Sequence, residues 1–202
     1  MTPATSGTST STRTRARPMA PEERRKHLID VTLQLLREHG REVTTKQIAE
    51  AAGVAEGTIF RVVESKEELV DLAIDRAFEP GAIVERILEI DPDLPLADRL
   101  LTLVAILQQR WRATFWLMQR VGLVRPPRHD EARADDARAQ LLALIVGVIA
   151  PDAARLAVSP EQFAHRLRLL TFAGTHPHIS DGHLLTPEEI VETLLHGLQR
   201  NP

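Results

Sequence analysis

The sequence predicts an all-α chain, a small three-helix unit at the N-terminus followed by a larger helical domain, and three observations carry that prediction. Apolar residues recur at helical spacing in nearly every segment, no run alternates long enough for a sheet, and Ala, Leu, Arg and Glu dominate a chain that lacks Tyr. Hydrophobic residues make up 43% and charged residues 26% of the 202, enough to bury a core in each part. Cysteine is absent, which excludes a disulfide framework, a thiol nucleophile and thiolate metal sites, and fits a reducing cytoplasm.

Residues 1–19 read as a disordered tail, rich in Ser, Thr, Pro and Ala and carrying Arg13, Arg15 and Arg17. No apolar run follows these arginines, so the tail is not a secretory signal. The most apolar later stretch, Leu141–Ala150, is too short to span a bilayer, and a soluble chain without a membrane partner is expected.

From Pro21, Leu28, Val31, Leu35 and Leu36 share one helical face, and Gly40 supplies a left-handed stop after about five turns. Thr44-Thr45-Lys46-Gln47 has the form of a capping box opening a helix from Thr45 to about Ala52, which buries Ile48, Ala49 and Ala52. Gly53 permits a tight turn, Val54 fills the space between helices, and a second short helix starts near Ala55 and runs to Val63. Residues 20–66 are thus predicted to form a helix-turn-helix domain. Ser65-Lys66-Glu67-Glu68 offers a second capping box for a connecting helix over 67–80, through Leu69, Leu72, Ala73, Ala77 and Phe78 to the break at Pro80-Gly81. Across 81–202 helices are expected at Ile83–Ile90, Leu96–Val121, Asp130–Ile149, Pro160–Thr175 and Pro187–Gln199.

Charge divides unevenly along the chain. Through Lys66 there are 11 Lys and Arg against 8 Asp and Glu, a balance of +3; the rest carries 14 against 20, or -6. A basic front suggests a polyanionic partner, although lopsided charge is common in soluble proteins.

The segment TTKQIAEAAGVAEGTIFRVVESK, Thr44 to Lys66, is the most informative. Its pattern TTxxIAxxAGV, then GTIF, then SK before a helix resembles the TetR family of bacterial repressors, over about Ala20 to Phe78. The resemblance implies an N-terminal DNA-binding domain, a C-terminal ligand-binding and dimerisation domain, a homodimer, and operator DNA as partner. No cofactor and no metal are expected.

A helix of two turns has little apolar surface of its own and is marginal unless it presents its outer face to something. In a helix-turn-helix the second helix enters the major groove by its N-terminal residues. Ile59, Val62 or Val63, and in part Phe60, are expected to face the core, leaving Glu56, Gly57, Thr58 and Arg61 toward DNA. Thr58 suits a phosphate or a thymine methyl, and Arg61 suits phosphate or the two guanine acceptors. Thr44, Thr45 and Lys46 sit where free amides favour a phosphate, and Lys66 adds another phosphate contact in the family motif. The tail arginines either enter an adjacent minor groove or remain solvated. Two positions depart from the family pattern: Ala55 replaces a capping Ser, and Phe60 lacks the hydroxyl with which a Tyr holds phosphate. Arg61 is expected to take over that contact, and Glu56 to accept from a cytosine amine or simply to favour the helix dipole.

In the C-terminal part, Leu103, Leu107, Trp111, Phe115, Trp116 and Met118 gather apolar and aromatic bulk in a chain with only seven aromatics. They line either a pocket for an apolar or aromatic small-molecule effector or a plain core. By the resemblance the last two helices pair with those of a second copy, with Phe163, Leu167, Leu170, Ile190, Leu194, Leu195 and Leu198 as interface or core. The run THPHISDGH places His176, His178 and His183 close together, but Pro177 prevents a regular helix and no ligand spacing is matched, so it is expected to be a loop. GxSxG, HExxH, phosphate-loop and GxGxxG motifs are all absent, which argues against an enzyme.

Overall fold

The computed structural model describes residues 20–79, 81–124 and 131–197, and among these every regular element is helical. Eight α-helices follow one another: α1 (Pro21–His39), α2 (Thr45–Ala52), α3 (Lys66–Phe78), α4 (Ala82–Leu88), α5 (Leu96–Arg120), α6 (Glu131–Ile149), α7 (Pro160–Thr175) and α8 (Pro187–His196). The capping chemistry explains several boundaries. Thr44 Oγ1 accepts the amide of Gln47 while the Gln47 side chain accepts that of Thr44, so the box that opens α2 forms as its sequence predicts. At α3 only half a box forms: Ser65 caps Glu68, but the Glu68 carboxylate takes the amide of Glu64. Thr186 and Glu189 form a full box at α8 that was not anticipated.

Three elements differ from expectation. The segment after the turn is a 3-10 helix over Glu56–Arg61 rather than an α-helix to Val63. Ala55 offers no capping oxygen, and Gly57 with the β-branched Thr58 and Ile59 disfavours the α form over so few residues. Helix α4 begins and ends earlier than predicted, after Gly81 at φ 49°, and α8 stops at Gly197, φ 72°. A further 3-10 turn, Ala150–Arg155, occupies the expected break after α6. The stretch Asp135–Arg155 is by length and composition apolar enough to cross a membrane, beyond what Leu141–Ala150 alone suggested, yet it buries Ile145 and Ile149 in the core.

Two hydrophobic cores organise the chain. The first joins Leu28 and Leu36 of α1, Ile48 and Ala49 of α2, Ile59, Val63, and Leu69, Val70, Ala73 and Ile74 of α3. Helix α3 therefore does more than connect; it is the main packing partner of α1. The second core unites α4 to α8 around Leu100, Leu103, Leu107, Ile145, Leu167 and Ile190. Helix α5 belongs to both, because Leu117 and Val121 at its end are buried among the residues of the first core.

The joint between the cores is close. A Cβ on Gly40 would lie 2.6 Å from the Arg120 carbonyl oxygen, and Gly40 sits at φ 61°, so sterics and backbone both demand glycine. Arg41 Nε donates to the Val121 carbonyl at 3.1 Å, and the Arg120 guanidinium donates to the Glu38 carbonyl. Arg110, pushed below its ordinary pKa by burial, donates to the carbonyls of Phe78 at 2.9 Å and Glu79 at 2.7 Å. At the other end of α5, Arg99 is buried and pairs with Asp152, whose second oxygen takes Arg155 at 2.8 Å.

Two stability predictions follow from these contacts. Gly40→Ala combines a strained φ with a backbone clash and is expected to destabilise the fold by roughly 1–3 kcal/mol, read as a lowered midpoint in urea; an unchanged midpoint refutes the joint. The guanidiniums of Arg155 and Arg99 hold Asp152 below the usual carboxylate range. Its stabilising contribution is complete above that range and fades as pH falls through the depressed pKa. Asp152→Asn is therefore expected to melt below the wild type at neutral pH, the two melting curves converging in acid; a gap independent of pH rules this out.

Candidate nucleic-acid interface

Helix α2, the turn and the 3-10 segment form one unit whose geometry is set by backbone bonds. Gly53 adopts the left-handed conformation at φ 67°, ψ 30°, and its amide reaches the carbonyls of Ala49 and Glu50. The Val54 amide donates to Ala49 at 2.9 Å, and Val54 is half-buried, as a plug between the helices should be. Thr58 N–H donates to the Ala55 carbonyl at 2.8 Å, which closes the first tight turn of the 3-10 segment. Ile59 and Val63 face inward at 0% and 4% exposure, anchoring this short segment on α1 and α3.

What remains outward is a compact polar surface. Thr44, Lys46, Glu56, Gly57 and Arg61 are exposed, and Thr45, Thr58 and Lys66 are partly so. Phe60 departs from the expectation that it faces the core: half of its surface, 52%, is exposed, since Ile59 and Val63 already fill the interior. No carboxylate pairs with Lys46 or Arg61 among the described residues, whereas Lys66 lies 4.0 Å from Glu67. Unpaired cations on an exposed face are available to phosphate at no cost of breaking an internal pair. The Thr45 hydroxyl donates to the Glu56 carboxylate, so Glu56 braces the 3-10 segment against the first turn of α2. That bond is a role for Glu56 that the sequence reading missed, and nothing in a spacing of eleven residues signals it.

Over residues 20–66 the described domain carries eight Lys and Arg and eight Asp and Glu, so the +3 of the front part resides in Arg13, Arg15 and Arg17. Those three lie outside the described residues, as does Leu198. Any attraction for a polyanion within the ordered domain thus comes from arrangement, with the carboxylates of Glu22, Glu23 and Asp30 placed on α1, away from α2 in sequence.

The six residues expected to line a pocket are distributed differently. Leu103, Leu107 and Trp111 are buried in the second core. Phe115 packs edge-on against Phe172 at 5.1 Å and His176 at 4.4 Å, while Trp116 is 46% exposed beneath the Arg120 guanidinium. Met118 is partly exposed. A cleft of about 460 Å³ among the described residues lies between α4, the first turn of α5 and the last turns of α6, and none of the six lines it. Leu103, Leu107, Trp111 and Phe115 pack as core because α7 and α8 close over α5. Among the dimer candidates, Phe163, Leu167 and Ile190 are buried within their own chain and have no surface to offer a second copy, while Leu170, Leu194 and Leu195 remain partly exposed. His176, His178 and His183 stand in the loop between α7 and α8, as expected. No metal-holding cluster occurs among the described residues.

Residues 28–73 match the family model described as bacterial regulatory proteins, tetR family. The HTH-type transcriptional regulator YvkB of Bacillus subtilis (strain 168) is 41% identical over 63 residues, 30% of this chain and 33% of that protein. The HTH-type transcriptional repressor KstR of Rhodococcus jostii (strain RHA1) is 44% identical over 61 residues, 30% of this chain and 29% of its own length. The chain thus aligns with about a third of these relatives' length. Among solved structures, a tetR-family transcriptional regulator from Streptomyces coelicolor superposes with a TM-score of 0.60 at 23% identity, covering 88% of this chain and 79% of the other. FadR from Bacillus subtilis, solved with stearoyl-CoA, gives 0.61 at 15% identity over 86% of this chain and 99% of that one. These likenesses extend the shared fold beyond the matched front domain to the C-terminal helices.

The split between core and surface at two neighbouring residues gives a sharp test. Ile59→Ala is expected to cost about 2–5 kcal/mol of folding stability, as truncation of a fully buried side chain does. Phe60→Ala is expected to stay within about 0.5 kcal/mol of the parent. Denaturant titration of both variants checks the assignment, and equal losses contradict it.

Proposed function

Because this chain belongs to the TetR family of bacterial regulatory proteins, we propose that it is a sequence-specific DNA-binding repressor, acting as a cytoplasmic homodimer and released from its operator by a small-molecule effector. The observation that carries this reading is the outward face of α2 and the 3-10 segment, where Lys46 and Arg61 stand without carboxylate partners inside the matched stretch. Thr44, Thr45, Lys46 and Lys66 hold phosphates; Gly57, Thr58, Phe60 and Arg61 approach the bases of the major groove. With Glu56 engaged by Thr45, its part is to position that first turn rather than to read a base. The tail arginines, Arg13, Arg15 and Arg17, add a minor-groove arm.

One such domain buries too little surface to pick out an operator, which favours two copies on a two-fold site. The partly exposed apolar side chains of α7 and α8, among them Leu169, Leu194 and Leu195, support pairing through those helices. A neighbour of the same fold was solved with an acyl-CoA, which supports a C-terminal domain that takes an apolar effector. The effector acts by favouring a dimer in which α3 carries the two recognition segments out of register with successive major grooves; it must bind the two states unequally.

Fluorescence anisotropy on the DNA flanking the protein's own gene, with nonspecific competitor and at two salt concentrations, tests the reading. The wild type is expected to bind despite competitor and to weaken as salt rises. Arg61→Ala and Thr58→Ala are each expected to weaken specific binding by roughly tenfold or more while the dimer persists in sedimentation. Retained affinity in both variants removes the assignment of the reading face.

A further inference from the structure

The cleft between α4, α5 and α6 is bordered by a buried residue that keeps one polar atom without a partner. Arg99 lines it, with a side chain only 3% exposed. Its Nη1 donates to the Pro92 carbonyl at 2.7 Å and its Nη2 to Asp152, but Nε has no hydrogen-bond partner. Buried guanidinium donors are rarely left in that condition, because each forfeits its hydration without replacement. Apart from Gln140 the remaining walls are apolar, with Ile87, Leu88, Ile90, Leu144 and Val148 among them, and Leu88 is 69% exposed.

Charge near the buried end favours an acidic ligand. One carboxylate, Asp152, is shared between two guanidiniums, those of Arg99 and Arg155, so one positive charge is left over. Asp91 and Asp93 flank Pro92 but are exposed to solvent, and Asp91 Oδ1 already accepts the Asp93 amide at 2.9 Å. Screening weakens their influence relative to that of the buried arginine. At about 460 Å³ the cleft lies within the range of small-molecule sites.

We propose that this cleft is the effector site and takes an elongated apolar molecule ending in a carboxylate, one oxygen of which accepts from Arg99 Nε while the chain covers Leu88, Leu144 and Val148. The inference rests on the reading of the protein as a ligand-released repressor, and it moves the effector away from the aromatic cluster of Trp111 and Phe115. The probe is decanoate, titrated calorimetrically into the full chain, with decyltrimethylammonium as the cation of equal chain length. Gly147 lines the cleft, and a Cβ there meets nothing within 4 Å, so Gly147→Leu fills the cleft without disturbing a buried contact.

Decanoate is expected to saturate one site per chain, to shift the Arg99 Nε–Hε resonance in a nitrogen-correlated spectrum, and to bind Gly147→Leu at least tenfold more weakly at unchanged circular dichroism. Equal binding to the variant, a silent Nε resonance, equal binding of the cation, or no saturable binding each overturns the site. DNA release is scored separately by anisotropy. Decanoate binding in the cleft with undiminished DNA affinity overturns its effector role, whereas release by some other small molecule leaves the repressor reading intact and removes the cleft from it.

Discussion

The contact on which the rest of the architecture depends is the one between Gly40 and the end of α5. Only a residue without Cβ lets the Arg120 carbonyl approach so closely, and that approach brings Leu117 and Val121 into the core built by α1, α2 and α3. Arg41 and Arg120 then fix the same junction with hydrogen bonds to Val121 and Glu38. Two small helical cores that would otherwise meet only through the chain at Pro80 are thereby tied by one continuous helix. Arg110, near the middle of α5, adds a second tie to the carbonyls that end α3.

This arrangement bears directly on how, in the proposed mechanism, a distant event reaches α2 and the 3-10 segment. Helix α5 has 25 residues and spans about 37 Å at the rise of an α-helix. Its first turn carries Arg99, its middle carries Arg110, and its last turn is bolted to α1. A helix held at both ends transmits displacement rather than absorbing it, so in the proposed mechanism repacking around Arg99 moves α1 and α3 together. Continuity alone does not establish coupling; a linked change in affinity at the two sites does.

Much of this was legible in the sequence, and the parts that were not share a physical character. Local signals read well: Thr44 with Gln47 opened α2, Gly53 made the turn, and apolar spacing placed α7 at its observed bounds. Ala55 was visible as a missing cap, but its consequence, a 3-10 segment in place of an α-helix, depends on how little helix six residues can sustain. Long-range facts were hidden. Gly40 read only as a helix stop, because its second role requires Arg120, eighty residues away. Arg99 looked like any helical arginine until Asp152 and Pro92 came beside it. The aromatic residues of α5 left a pocket and a plain core open, and Trp111 and Phe115 pack against Phe172 and His176.

Residues 20–66 carry no net charge, which constrains how they can attract a polyanion. Eight cations and eight carboxylates offer no long-range attraction as a sum, so affinity must come from their placement. Asp30 binds Arg76, and Glu68 approaches Arg25, pairing charge between α1 and α3. Thr45 occupies the carboxylate of Glu56, the one acidic group within the 3-10 segment. Lys46 and Arg61, which have no carboxylate partner among the described residues, therefore keep their charge on the outward face of α2 and the 3-10 segment. In the proposed mechanism such a domain gains little from long-range attraction and depends on the placement of its cations and on a second copy, so that a modest shift of α3 releases it.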